Sequence, residues 1–419
     1  MLLKNAKLYK EEGLRDITLQ SGQIQSIKPA GNISETADET VIDLEGKLVL
    51  PPYVEPHIHL DYALTAGTPR WNKSGSVFEG IEIWAERRQI VKETKDDIKE
   101  RALQAVQMQL KHGIQHVRTH VDVSDPTLKG LEALLEVKAE MKPWMDIQLV
   151  ALPQEGMYTN PEGEELLEKA IDMGADVVGG IPHYELTRED GIKSIKKSLE
   201  LAKKYDKLID IHCDEIDDEQ ARYLETLAAE TIRMGMQDRV TASHTAAMGS
   251  YNNAYTYKLF QILKKANIHF IALPKANLHL QGRFDSYPVR RGLTRVKELL
   301  NENINVCFGL DSIMDPWYPL GDGNLMDVVD TGLHACHMTD YDHIVTALDL
   351  ITTNGAKTMA MTDDYGVKEG NSANLIVIDS TSEYEAIRTQ APVVYSIRNG
   401  EIIVQMKPAK ITMNISLLS

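Results

Sequence analysis

The sequence predicts an α/β protein: a (β/α)8 barrel with a small β-sandwich domain built from both termini. Three observations predict it. The middle of the chain alternates eight short, apolar, β-rich runs with amphipathic segments, the rhythm of βα units repeated around a parallel sheet. The two ends share another texture, short alternating strands broken by glycine. The length, 419 residues, exceeds one barrel of about 250 residues and leaves chain for a second, smaller unit.

The β-sandwich is expected over 1–48 plus 368–419, and the barrel, of the TIM type, over 49–367. In the first segment, AKLYKEEGLRDITLQSGQIQSIKPAG alternates apolar and polar residues and breaks at Gly13 and Gly22. The barrel runs are 49–59, 114–123, 146–153, 176–182, 208–214, 239–245, 269–274 and 305–311. The segments between them have helical period. In 97–112, Ile98, Ala102, Val106 and Leu110 lie four apart on one face, and Gly113 is placed to end the helix. The tail returns to strands at 374–379, 392–404 and 410–418, with Asn399-Gly400 as a hairpin turn.

Hydrophobic residues make up 43% and charged residues 26%, ordinary for a soluble globular protein. The formal charge of −17, from 62 acidic and 45 basic residues, argues against a nucleic-acid surface and reads as a solubility charge. Cys213, Cys307 and Cys336 are widely spaced and no CxxC occurs, which fits a reducing compartment without a disulfide framework. No apolar run reaches membrane-spanning length, and MLLKNAKLYKEEG lacks the apolar stretch of a signal peptide. A cytoplasmic protein with no membrane partner is expected.

The functional side chains of such a barrel gather where its strands end. Run one ends in His57-Ile58-His59, run three leads to Gln154, run five ends in His212 with Glu215 three residues on, run six ends in His244 and run eight in Asp311. On an extended segment residues two apart point the same way, so the imidazoles of His57 and His59 suit one ion. His212 supplies a third nitrogen and Asp311 a carboxylate. Three imidazoles and a carboxylate, with a position left for water, suit one divalent metal ion, Zn²⁺ or Fe²⁺, which lowers the pKa of its water toward neutrality. Glu215 is placed to shuttle protons. Asp214 competes for that role, and EIDDEQ (215–220) also reads as the acidic first turn of a helix. The amide of Gln154 can donate and accept at once, as the edge of a base demands. His112, His116, His269, His334, His337 and His343 are expected to be ordinary core or surface residues.

Long stretches resemble bacterial cytosine deaminase of the amidohydrolase superfamily: EPHIHLD (55–61), FEGIE (78–82), GIQHVRTHVDVSD (113–125), LIDIHCDEIDDEQ (208–220), VTASHT (240–245), HLQGRFDSYPVRRG (279–292) and DPWYPLG (315–321). GNSANLIVID (370–379) resembles the superfamily's return to the β-sandwich. The resemblance implies hydrolytic deamination of a small-molecule base. His57, His59, His212 and Asp311 match the ligands of a single metal ion. His244 matches the histidine that holds and polarises the water, and Asp311 takes the water's proton. Glu215 matches the acid that protonates the ring nitrogen, Gln154 the glutamine that pairs with the ring amide, and Trp317 an aromatic pocket wall. The resemblance also implies a homo-oligomer. No lysine ends run four (GGIPHYE), so no carbamate-bridged second metal is expected. Deaminases of the HxE and PCxxC class are excluded, because no PCxxC occurs.

There are departures. The family reads His-Asp-Asp around its last ligand, where this chain has Leu310-Asp311-Ser312. Leu152 stands where an aromatic residue is expected, and Val77 where a larger aliphatic one is expected. Three smaller side chains leave room on the C5 side of the base, which points to 5-methylcytosine as a substrate beside cytosine. Two alternatives stand: an aminohydrolase of another cyclic amidine, such as isoguanine, isocytosine or creatinine, and a non-catalytic barrel scaffold. A substrate panel separates the first; metal analysis and a Glu215→Gln variant separate the second. The polar, glycine-bearing segment 67–76 is the candidate lid.

Overall fold

Pro51-Pro52 interrupts the first apolar run, since neither residue can donate to a strand ladder. In the computed structural model, which describes residues 1–33, 40–407 and 412, that run is two strands in two units. One unit is Met1–Pro52 with Gly366–Ser419, and the other is Tyr53–Tyr365.

The first unit opens with β1 (Leu2–Leu8), β2 (Leu14–Gln20), β3 (Gln23–Pro29), β4 (Val41–Asp43) and β5 (Leu48–Leu50). The second carries β6 (Tyr53–Ile58), β7 (Ile114–Asp122), β8 (Asp146–Leu152), β9 (Val177–Gly180), β10 (Leu208–Cys213), β11 (Val240–His244), β12 (His269–Ala272) and β13 (Val306–Phe308). The tail adds β14 (Leu375–Ile378), β15 (Val393–Arg398) and β16 (Glu401–Gln405) to the first unit. The strand texture at 410–418 falls, apart from Thr412, outside the described residues.

The first unit is a mixed sheet in the order β16-β15-β14-β5-β1-β2-β3, with β4 beside β1. Leu3, Ile17, Ile24, Val49, Leu375 and Ile397 meet in its core. Asn399 and Gly400 both have positive φ, 50° and 79°, and turn β15 into β16, the geometry that a two-residue hairpin loop requires.

In the second unit, β6 to β13 pair in sequence order, each parallel to the next. The ring closes at the strand tops, where Ile58 bridges Asp311 in parallel. His59 N donates to Asp311 O at 3.1 Å, and Asp311 N donates to His57 O at 2.9 Å. The buried carboxylate of Glu55 fastens this seam by accepting His57 N at 2.8 Å and Leu310 N at 2.9 Å. Helices connect the strands. Lys95–Lys111 begins at a Thr94–Asp97 capping box, and Gly113 follows it at φ 82°.

The barrel interior is not wholly apolar. Arg118 on β7 is fully buried, and its guanidinium donates to Asp210 Oδ2 at 3.0 Å, Thr241 Oγ1 at 3.2 Å and the Thr358 carbonyl at 3.0 Å. Each polar group is thereby partnered, which is what keeps such burial affordable. Among the described residues, no helix is long and apolar enough to cross a membrane.

Candidate active site

The strand ends deliver their side chains to one place. His57 lies on β6 and His59 one residue beyond it, His212 on β10, His244 at the last position of β11, and Asp311 three residues past β13. His244 and Asp311 take positive φ, 66° and 69°, the strained backbone common at sites where a side chain is aimed sharply out of a strand.

Three overlapping groups of possible ligand atoms result: His57, His120 and His212; His57, His59 and Asp311; His212, Glu215 and His244. Asp311 Oδ1 lies 3.3 Å from His57 Nε2 and 3.6 Å from His59 Nε2. His59 Nε2 and His212 Nε2 are 3.2 Å apart. Ligand atoms about 2.0–2.1 Å from one tetrahedral ion are about 3.3–3.4 Å from each other. The separations among His57, His59, His212 and Asp311 are of that size.

The imidazoles are in the ligating form. Burial pushes His59 down to about 3 and His212 well below the ordinary histidine value, so both are neutral. The tautomer of His57 is set by a relay. The Ser243 hydroxyl donates to Asp210 Oδ1 at 2.6 Å, so its oxygen is left to accept from His57 Nδ1, 2.9 Å away. The Nε2 lone pair is then free, and that buried atom has no hydrogen-bond partner. Arg118 holds the other oxygen of Asp210.

His120 was not visible as a site residue from the sequence. Its ring packs 4.1 Å from that of His57 and 4.6 Å from that of His212, and neither nitrogen has a hydrogen-bond partner. The available signal was a second histidine in the wholly buried run of β7.

Glu215 Oε1 lies 3.3 Å from His244 Nδ1. Burial, with the charge of Asp311, raises the Glu215 carboxyl well above its usual range, the condition a general acid needs near neutrality. Asp311 is held in the opposite direction: burial pushes it up, and its interactions with His244 and His57 outweigh that and keep it below the usual range. Asp214 is turned away. It accepts Tyr223 N, Leu224 N and the Tyr251 hydroxyl, and so holds the start of the following helix.

These groups open onto a small cavity that Gln154, Val77, Ser312, Trp317, Tyr62 and Leu280 also line. Its small size and few convergent polar groups suit a small, flat ligand. Leu152, expected in the wall, does not line it. Gln154 N donates to Leu152 O at 2.9 Å, a three-residue γ-turn that ends the strand's alternation. Leu152 is buried instead. Trp317 is held by Asp315, whose Oδ1 accepts Trp317 N and Tyr318 N. The indole lies close against Gly80, where a Cβ would come within 2.5 Å of it. The segment 67–76 ends in the helix cap Ser76, and Asn72 within it donates to Pro316 O at 3.1 Å. Tyr62, Leu280 and Asp315 carry no periodic signal in the sequence.

The arrangement offers a cluster of possible metal-ligand atoms, a carboxyl whose pKa burial raises and an amide edge around a single small space. A model of the amidohydrolase family matches residues 40–404. The chain belongs to the amidohydrolase family. This amidohydrolase is 30% identical over 415 residues to N-isopropylammelide isopropyl amidohydrolase of Pseudomonas sp. (strain ADP), 97% of each chain being covered. It is 26% identical over 403 residues to pterin deaminase of Rhizobium rhizogenes, covering 95% of this chain and 90% of the relative. Among solved structures, 5-methylcytosine deaminase from Klebsiella pneumoniae liganded with 5-fluorocytosine is 52% identical to it, with a TM-score of 0.96 and 99% of each chain covered.

Proposed function

We propose that this amidohydrolase hydrolytically deaminates a free pyrimidine base, cytosine to uracil and ammonia, and also 5-methylcytosine to thymine. The observation that carries the reading is the convergence of Glu215, Asp311 and Gln154 on one small cavity. The 52% identity to a 5-methylcytosine deaminase over nearly the whole chain supports it.

His57, His59, His212 and Asp311 would hold one divalent ion, Zn²⁺ or Fe²⁺, which when bound supplies Lewis acidity and acidifies water. The remaining work falls to side chains. Gln154 orients the base through its lactam edge. Asp311, kept ionised, takes a proton from the attacking water. Glu215, kept protonated by burial, gives its proton to the ring nitrogen beside the carbon under attack. His244, beside Glu215, holds the incoming oxygen. A further proton transfer to the amino group lets ammonia leave. Trp317 and Val77 form apolar walls, and Ser312, short and uncharged, lines the same cavity and leaves space for a C5 methyl group.

The test is steady-state kinetics on cytosine and on 5-methylcytosine, following ammonia release with defined metal loading. Absence of ammonia from both refutes the reading. A second reading, another cyclic amidine such as isoguanine, isocytosine or creatinine, draws support from the relatives named for N-isopropylammelide and pterin, and the same assay with those compounds decides it. The scaffold reading is less favoured because His57, His59 and Asp311 cluster, as do His212, Glu215 and His244. A cytoplasmic homo-oligomer fits the enzyme type, and sedimentation checks the assembly.

A further inference from the structure

Tyr62 lies three residues past His59, outside any strand, and is buried. Its ring stacks on His59, 4.8 Å between centroids and 5° between planes, and on Trp317, 4.9 Å and 23°. Trp84 covers it from another side at 4.3 Å. These neighbours offer the phenol proton no acceptor. The hydroxyl donates instead to Gln154 Oε1 at 3.0 Å. Gln154 Nε2 bonds to none of the described residues, and the side chain lines the cavity.

A glutamine amide has two orientations, related by a half-turn, that exchange its acceptor and its donors. The Tyr62 hydroxyl donates to no other of the described residues, so its proton is satisfied by only one of them. We propose that Tyr62 is a positioning residue that fixes the polarity of the Gln154 amide, so that the cavity receives the amide N–H groups and the second lone pair of Oε1. A ring edge with a carbonyl oxygen beside an N–H complements that pattern. An edge with an amino group in place of the carbonyl does not, because two donors would then face each other. The same device therefore selects which edge of a base enters the site. The inference rests on the proposed reading that Gln154 receives the base.

Tyr62→Phe tests it, because the ring and its stacking remain and only the hydroxyl goes. On the metal-loaded enzyme, KM for the base rises about three- to tenfold, the loss of one neutral orienting hydrogen bond, while kcat stays within twofold and metal content is unchanged. In a Gln154→Ala background the same substitution adds nothing, as required of a residue that acts through Gln154. Calorimetric binding of uracil to the metal-loaded protein gives the same comparison where turnover is too slow to follow. An unchanged KM in Tyr62→Phe overturns the proposal. So does an equal effect in both backgrounds, or a joint fall in kcat and metal content, which would reduce Tyr62 to a support for His59. Failure of the wild-type protein both to release ammonia and to bind uracil would overturn the pyrimidine reading itself, and this inference with it.

Discussion

Ser243→Ala is a single-atom test of how the metal site is tuned. The hydroxyl has one proton, and Asp210 Oδ1, 2.6 Å away, takes it. The oxygen must therefore accept from His57 Nδ1 at 2.9 Å, which places the ring proton on Nδ1 and the lone pair on Nε2, the atom 3.3 Å from Asp311. Without the hydroxyl, His57 can exchange tautomers and turn about its last torsion, while Arg118 still neutralises Asp210. Partners that orient ligating histidines are worth about 10- to 100-fold in metal affinity, or ~1.4–2.7 kcal/mol. Competition with a chromophoric chelator measures the dissociation constant directly. The variant is expected to bind metal that much more weakly, to regain most of its turnover at saturating metal, and to melt as the wild type does when both are metal-free. A dissociation constant within twofold of the wild type would refute the relay.

Three further outcomes are expected. Glu215→Gln lowers kcat by about 10²- to 10⁴-fold, the worth of a positioned acid, with metal content by elemental analysis unchanged; loss of metal instead would make Glu215 a ligand. Ser312→Asp narrows the C5 side and lowers the ratio of 5-methylcytosine to cytosine turnover by about 10- to 200-fold, and an equal fall in both rates would remove Ser312 from the wall. Burial pushes Asp315 up to about 7, so the folded chain keeps a proton that the unfolded chain releases near its ordinary value. The contribution of Asp315 to stability is then full below about pH 4, declines as pH rises toward 7 and is level above, by up to ~4 kcal/mol. Asp315→Asn flattens that decline in pH-dependent denaturant melts, and an unchanged slope would place the titration elsewhere.

The barrel was legible because each strand and helix carries its own local pattern. A run such as 208–214 alternates, with Ile209, Ile211 and Cys213 on one face and Asp210, His212 and Asp214 on the other, whereas 97–112 repeats every fourth residue, so period alone separates them. Asn399-Gly400 marks its hairpin for the same local reason. The clustering of His57, His59, His212, His244 and Asp311 was legible because a barrel presents strand ends at one rim, and a histidine at the end of a run therefore carries positional meaning.

By itself the sequence determined the order of elements, the eight-stranded barrel, the separate sheet drawn from both termini, and which strand ends carry imidazole and carboxylate. Tertiary structure alone decided what those groups touch. Ser243 reaches His57 across 186 residues of chain, and Tyr62 reaches Gln154 across 92. His120 joins the cluster from β7, Asp214 turns to a helix start, and a three-residue turn follows Leu152, which lies outside the cavity wall. Such contacts leave no trace in local period, because closure of the ring and the angle at which each strand ends set them. Whether a polar group meets a partner depends on ångström distances between segments far apart in sequence.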